Sequence, residues 1–159
     1  MKKVLLMVLI VFFGMVLSTQ AQNAAAKQGE KIFLQHADDC LLVIEKAAQE
    51  IGIKGVAIMA FIPGDSTMAW ISKMKVEGAI TRDNLNFLAI ANSKTSEMAL
   101  TLKNSGSGVR PLMHGELGYP GGVIKKVNAG YLLATFSGGL SEQDVVVAGK
   151  GLEELSKYF

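Results

Sequence analysis

Gly118-Tyr119-Pro120-Gly121-Gly122-Val123-Ile124, running through Asn128-Ala129-Gly130 into Tyr131-Leu132-Leu133-Ala134-Thr135-Phe136-Ser137-Gly138-Gly139, decides the fold, and Ser141-Glu142-Gln143-Asp144 follows it. The order is strand, turn, strand, helix. Asn128-Ala129-Gly130 reads as a three-residue hairpin loop with glycine where positive φ is wanted, between apolar runs that suit paired strands. Gly138-Gly139 is expected to release the second strand through a tight turn with positive φ in at least one residue. Ser141, with Asp144 three residues on, matches a capping box at a helix start.

Upstream, Lys54 to Ile62 is a nearly continuous apolar run rich in β-branched residues and reads as a central strand. Pro63-Gly64-Asp65-Ser66 turns the chain into Thr67 to Val76, which alternates with Met68, Trp70, Ser72 and Met74 on one side. That side reads as core. Thr81 is placed to cap a long helix reaching about Lys103, on which Leu85, Leu88, Ala89, Asn92, Ser96, Ala99 and Lys103 share one unusually small and polar face. Such a face suits close approach to a sheet or to a second copy. Asn104-Ser105-Gly106-Ser107-Gly108 reads as a flexible break, a hinge or simply a loop.

Toward the N-terminus, Cys40, Leu41, Ile44, Ala47, Ala48 and Ile51 lay one stripe along a helix from Ala37 to Glu50, which Gly52 ends. Residues 22–35 read as a polar lead-in, mobile over Gln22 to Gly29, with a short edge strand at Ile32 to Gln35. Residues 1–21 have the architecture of a signal peptide. Lys2-Lys3 are the basic start, Val4 to Leu17 an apolar run of 14 residues, and Thr19-Gln20-Ala21 a small-x-small cleavage site. The run is short of the roughly 20 residues that span a bilayer, so the expectation is an exported chain without a stable membrane anchor, periplasmic or extracellular.

Composition narrows the function. Without Lys2 and Lys3 the chain carries 14 basic and 14 acidic residues, and this balance argues against a nucleic-acid face. A lone cysteine, Cys40, excludes an intrachain disulfide, and its place on the apolar stripe suits a buried thiol. Phosphate-cradling loops, a nucleophile elbow and a His-Glu-x-x-His zinc helix are absent. No base, nucleophile and orienter can be named together, so catalysis by side chains alone is not expected.

Haem asks less of a protein: an apolar slot and one or two axial donors. Arg110-Pro111-Leu112-Met113-His114-Gly115-Glu116-Leu117-Gly118-Tyr119 gathers three donor types in seven residues. His114 is the foremost metal-ligand candidate, with Met113 and Tyr119 beside it, Arg110 placed to meet a propionate, and His36 as a second donor from another copy. Asp38-Asp39, Glu116 and Asp144 read as dipole, loop and cap residues.

The C-terminal pattern resembles the GlcG/HbpS family of small haem-binding proteins, also seen as the C-terminal domain of PduO-type proteins. The residues that carry it are Gly121-Gly122, the hairpin, Ser137-Gly138-Gly139, Glu142 with Asp144, and Gly151-Leu152, and Ser93-Lys94-Thr95 looks like a lysine element of the same family. Val123-Ile124-Lys125 stands where the family places a proline. With the order α, β, β, α, loop, β, β, α the residues imply an α+β fold. The resemblance implies more: a profilin-like antiparallel sheet with helices packed on it, a single domain over residues 36–159, homo-oligomers, and haem as cofactor. An oligomeric sensory or interaction module for another ligand, and a haem-degrading enzyme, are the alternatives.

Overall fold

The computed structural model describes residues 2–65 and 69–159, with side chains from residue 23. The central strand is β1, Gly55–Pro63, whose Gly-Val-Ala-Ile-Met-Ala-Phe-Ile run is buried on both faces. It pairs antiparallel with β2, Ile71–Glu77, on one side and with β6, Gly130–Ser137, on the other. β5, Gly122–Val127, completes the order β2-β1-β6-β5.

Alternation along the strands sorts the core into two layers. Ala57, Met59 and Phe61 of β1 and Leu132, Ala134 and Phe136 of β6 face α1, Lys2–Glu50, and α3, Ser141–Ser156. Ala60, Ile62 and Leu133 face the other way, onto Met98 and Ala99 of α2, Phe87–Thr101, and Val56 and Ile58 meet Phe87 and Ala91 of the same helix. Helices thus cover both faces of the sheet, an α+β fold as the element order implies.

Several local expectations are corrected. Ile32 to Gln35 is not an edge strand but part of α1, and Gln22 to Gly29 also lies within that helix. Phe33 is fully buried in register with Ala37, Cys40 and Ile44, so the helical stripe begins earlier than the charged segment suggests. A three-residue apolar run such as Ile32-Phe33-Leu34 suits either element, and tertiary packing decides. Among the described residues no helix is long and apolar enough to cross a membrane.

Thr81 does not cap a helix. It opens a small hairpin of β3, Thr81–Arg82, and β4, Leu85–Asn86, after which the Asn86 side chain accepts a 3.0 Å hydrogen bond from the Ala89 N–H and starts α2. α2 is buried around much of its circumference, Phe87, Ile90, Ala91, Lys94 and Met98 included; of the expected small face Ala99 is buried, while Ala89 and Asn92 are exposed. On β2 the faces are reversed: Met74 points outward, and Lys73 and Lys75 lean over α1 to Asp38 and Glu45 at 2.8 and 3.3 Å. Lysine stems cover apolar surface while their heads stay wet, so a lysine face can be the inward one. Trp70 precedes the strand and is exposed, and Met68 lies outside the described residues.

Asn104 and Ser105 form no hinge. Ser105 exchanges backbone and side-chain hydrogen bonds with Gly122, and Asn104 Oδ1 accepts from Ile124 N, so the segment is laced to the outer edge of β5. The β5–β6 connection is tighter than expected, since Val127 pairs with Gly130 and only Asn128-Ala129 remain in the turn.

Candidate functional site

β6 ends at Ser137, and Gly138-Gly139 carry the chain into α3. Neither glycine has positive φ. Glycine is required there by close approach instead: a Cβ on Gly138 would stand 2.0 Å from the Lys54 carbonyl oxygen, and one on Gly55 would stand 2.1 Å from that of Ser137. The helix cap is Leu140, not Ser141, with Gln143 Oε1 accepting from the Leu140 N–H at 2.9 Å.

Asp144 is thereby free for another task. It is 3 % exposed, and its Oδ2 accepts a 2.8 Å hydrogen bond from Lys94 Nζ, itself 3 % exposed in the middle of α2. Lys94 also donates to the Phe136 carbonyl at 2.9 Å, and Asp144 Oδ1 accepts from Gly139 N at 2.8 Å. This ion pair bridges the helix below the sheet to the helix above it, past the end of β6. Burial pushes the Lys94 ammonium down and the Asp144 carboxyl up, each opposed by the attraction of its partner. The double glycine of the sequence has its reason here: a Cβ on Gly121 would lie 2.4 Å from Lys94 Nζ and 2.8 Å from Asp144 Cβ. Sequence reading made Asp144 a cap residue and Lys94 part of a family-like lysine element, and missed the pair. The signal was lysine occupying position 94 of the stripe Phe87, Ile90, Ala91, Met98.

The pair floors a cleft of about 230 Å³ between α2 and the start of α3, walled by Leu85, Phe87 and Ile90 and rimmed by Arg82 and Tyr119. Of the five candidates for haem, only Tyr119 lines it.

Arg110, Met113 and His114 sit in the preceding loop, which is built around Glu116. The Arg110 fork donates to both Glu116 oxygens, at 2.7 and 2.6 Å, and Met113 N donates to Oε2 at 2.8 Å. Leu117 N donates to Ser93 Oγ at 2.8 Å, fixing the loop on α2. The Arg110 guanidinium is thus engaged within the chain. Leu112, Met113 and His114 are exposed at the loop's tip. The Arg110 guanidinium and the Met113 N–H hold the Glu116 carboxyl well below its ordinary 4.5, at about 2. A depressed folded pKa contributes order that is complete above the unfolded value and lost as pH falls through the folded one. The loop's amide signals, followed by NMR, are therefore expected to stay put down to about pH 4.5 and to collapse toward random-coil positions as pH approaches 2. Retention of native shifts in Glu116→Gln would contradict this role.

His36 lies elsewhere. It is on α1, across the sheet from α2, with its ring stacked on Tyr158 at 3.7 Å and 6°. One chain therefore does not bring His36 and His114 together. Cys40 is fully buried, and burial, with Glu154 and Asp39 nearby, pushes its thiol up to about 11. Among the described residues no group of three or more His, Cys, Asp or Glu is placed to hold a metal ion. The loop fits a haem in its donor set and apolar side chains: His114 and Met113 protrude beside exposed Val109, Leu112 and Leu117. The cleft does not, being smaller than the roughly 300 Å³ at which cofactor pockets begin.

No family model matches the chain, and no curated protein matches it. Two solved structures share its fold. The crystal structure of Klebsiella pneumoniae protein ORFY, a DUF336 protein, superposes with a TM-score of 0.52 at 20% identity, over 77% of this chain and 89% of that one. The crystal structure of the Ybr137w protein superposes with a TM-score of 0.51 at 18% identity, over 86% and 92%.

Proposed function

We propose that this chain is an exported haem-handling protein of the GlcG/HbpS type, acting as a homo-oligomer, with His114 as the residue that would hold the iron. DUF336 corresponds to the GlcG-like family, so the likeness to ORFY supports the same reading as the Gly121-Gly122 and Ser137-Gly138-Gly139 pattern. The observation that carries it is the loop: Glu116 braces it from within, and its tip presents imidazole and thioether among uncovered leucines.

In this reading His114 would offer a ring nitrogen to the iron, and Leu112, Met113 and Leu117 would cover porphyrin surface. Haem supplies redox chemistry when bound. Because one chain leaves these side chains open, a second copy is required to close the site and exclude water.

Haemin titration of the purified mature protein tests it. His114→Ala should shift the Soret band and weaken binding by about tenfold or more, roughly 1.4 kcal/mol, while Cys40→Ser leaves both unchanged. The reverse pattern moves the ligand to α1 and refutes the assignment. Export is tested separately, by mass spectrometry of protein from its native host. The mature N-terminus is expected at or near Gln22, and retention of Met1 in a membrane fraction would refute it.

A further inference from the structure

We propose that the cleft between α2 and the start of α3 binds a small monocarboxylate carrying a short apolar tail, at a site separate from the haem loop. Four observations converge on it. The first is the helix start: α3 runs for 16 residues from Ser141, behind Leu140, a cap with no side-chain acceptor to give the first-turn N–H groups. Those donors and the positive end of the helix favour an anion.

Ser137 is the second and independent one. It is 2 % exposed and lines the cleft, yet its hydroxyl has no hydrogen-bond partner among the described residues. The hydroxyl is not among the fully buried unpartnered atoms, so what surface it keeps is open to the cleft, where a ligand's oxygen can meet it. Third, Arg82 lines the same cleft, 5.5 Å from the Phe87 ring centre, and forms no ion pair among the described residues. Asp144, the one acidic residue in the lining, is already neutralised by Lys94, so the cleft's uncompensated charge is positive.

The fourth is shape. Leu85, Phe87 and Ile90 give the lining an apolar part, which suits an alkyl tail and not a phosphate's hydrated oxygens. About 230 Å³ limits the ligand to a handful of heavy atoms. Arg82 would take the carboxylate together with the helix N–H groups, and Ser137 its second oxygen.

Sodium butyrate is the probe, titrated into the full mature chain and followed by amide NMR. Saturable shifts are expected at Ser137 and at Ser141 to Gln143, with Arg82→Gln weakening binding about tenfold and butyramide failing to bind. Arg82 is exposed, so this variant keeps the fold, which a thermal melt verifies. Absence of saturation by about 50 mM, a range that still captures very weak sites, would overturn the proposal. So would equal binding of butyramide, or tighter binding of inorganic phosphate. Haemin titration of Arg82→Gln separates a free acid from a haem propionate: unchanged affinity supports the separate site, and a matching loss refutes it.

Discussion

Asp144→Ala is expected to lower the stability of the folded chain by about 3–5 kcal/mol in urea denaturation, the usual loss when one member of a buried ion pair is removed. Lys94 and Asp144 are each shielded from water and 2.8 Å apart, so the surviving lysine would face the sheet with the Phe136 carbonyl as its remaining acceptor. Its choice is an uncompensated charge or a lost proton, and both destabilise. Replacing the pair with apolar residues of similar volume, Lys94→Met with Asp144→Leu, should recover most of the loss, because desolvation of two charges offsets much of their attraction. If Asp144→Ala costs less than about 0.5 kcal/mol, within the range of ordinary surface changes, the pair does not tie α2 to α3.

Gly138→Ala is expected to be at least as damaging, costing about 3 kcal/mol or more, since added atoms in a filled space force backbone shifts. The new Cβ would meet the Lys54 carbonyl oxygen at 2.0 Å and Gly55 Cα at 2.8 Å, and neither is the movable end of a side chain. Relief requires the start of β1 to part from the end of β6. Gly149→Ala is the control: that glycine sits inside α3 with nothing within 4 Å of an added methyl, and the change should stabilise by about 0.5–1 kcal/mol. Equal melting temperatures for the two variants would show that the strand-to-helix junction is looser than these contacts imply.

The four strands of the main sheet were legible because their signals are local. A β-branched run for β1, glycine-punctuated turns and a polar-apolar alternation in β2 needed no knowledge of partners. Orientation was less so: Lys73 and Lys75 face inward because acids on α1 meet them, and Asp38 and Glu45 lie some thirty residues away. Thr81 and Asn86 offer the same capping chemistry, and only the β3–β4 hairpin between them selects the second. Glycine at 138 was foreseen for the wrong reason, dihedral freedom in place of contact with Lys54.

The site was harder still. Lys94 and Asp144 are fifty residues apart; Asp144 had a sufficient local explanation as a cap residue, and Lys94 stood only as part of a family-like lysine element. The His114 loop was visible as a cluster of donor types, whereas the bracing of that loop by Glu116 was not, because a loop carboxylate six residues from an arginine is ordinary in any sequence.

Haem handling is the central claim, and one haemin titration of the mature protein, read at the Soret band with oligomer size followed by light scattering, tests it most directly. The account predicts a shifted band that saturates at a fixed ratio of haem to chain, in a species larger than a monomer. A linear rise without saturation, or saturable binding by a monomer, would contradict it.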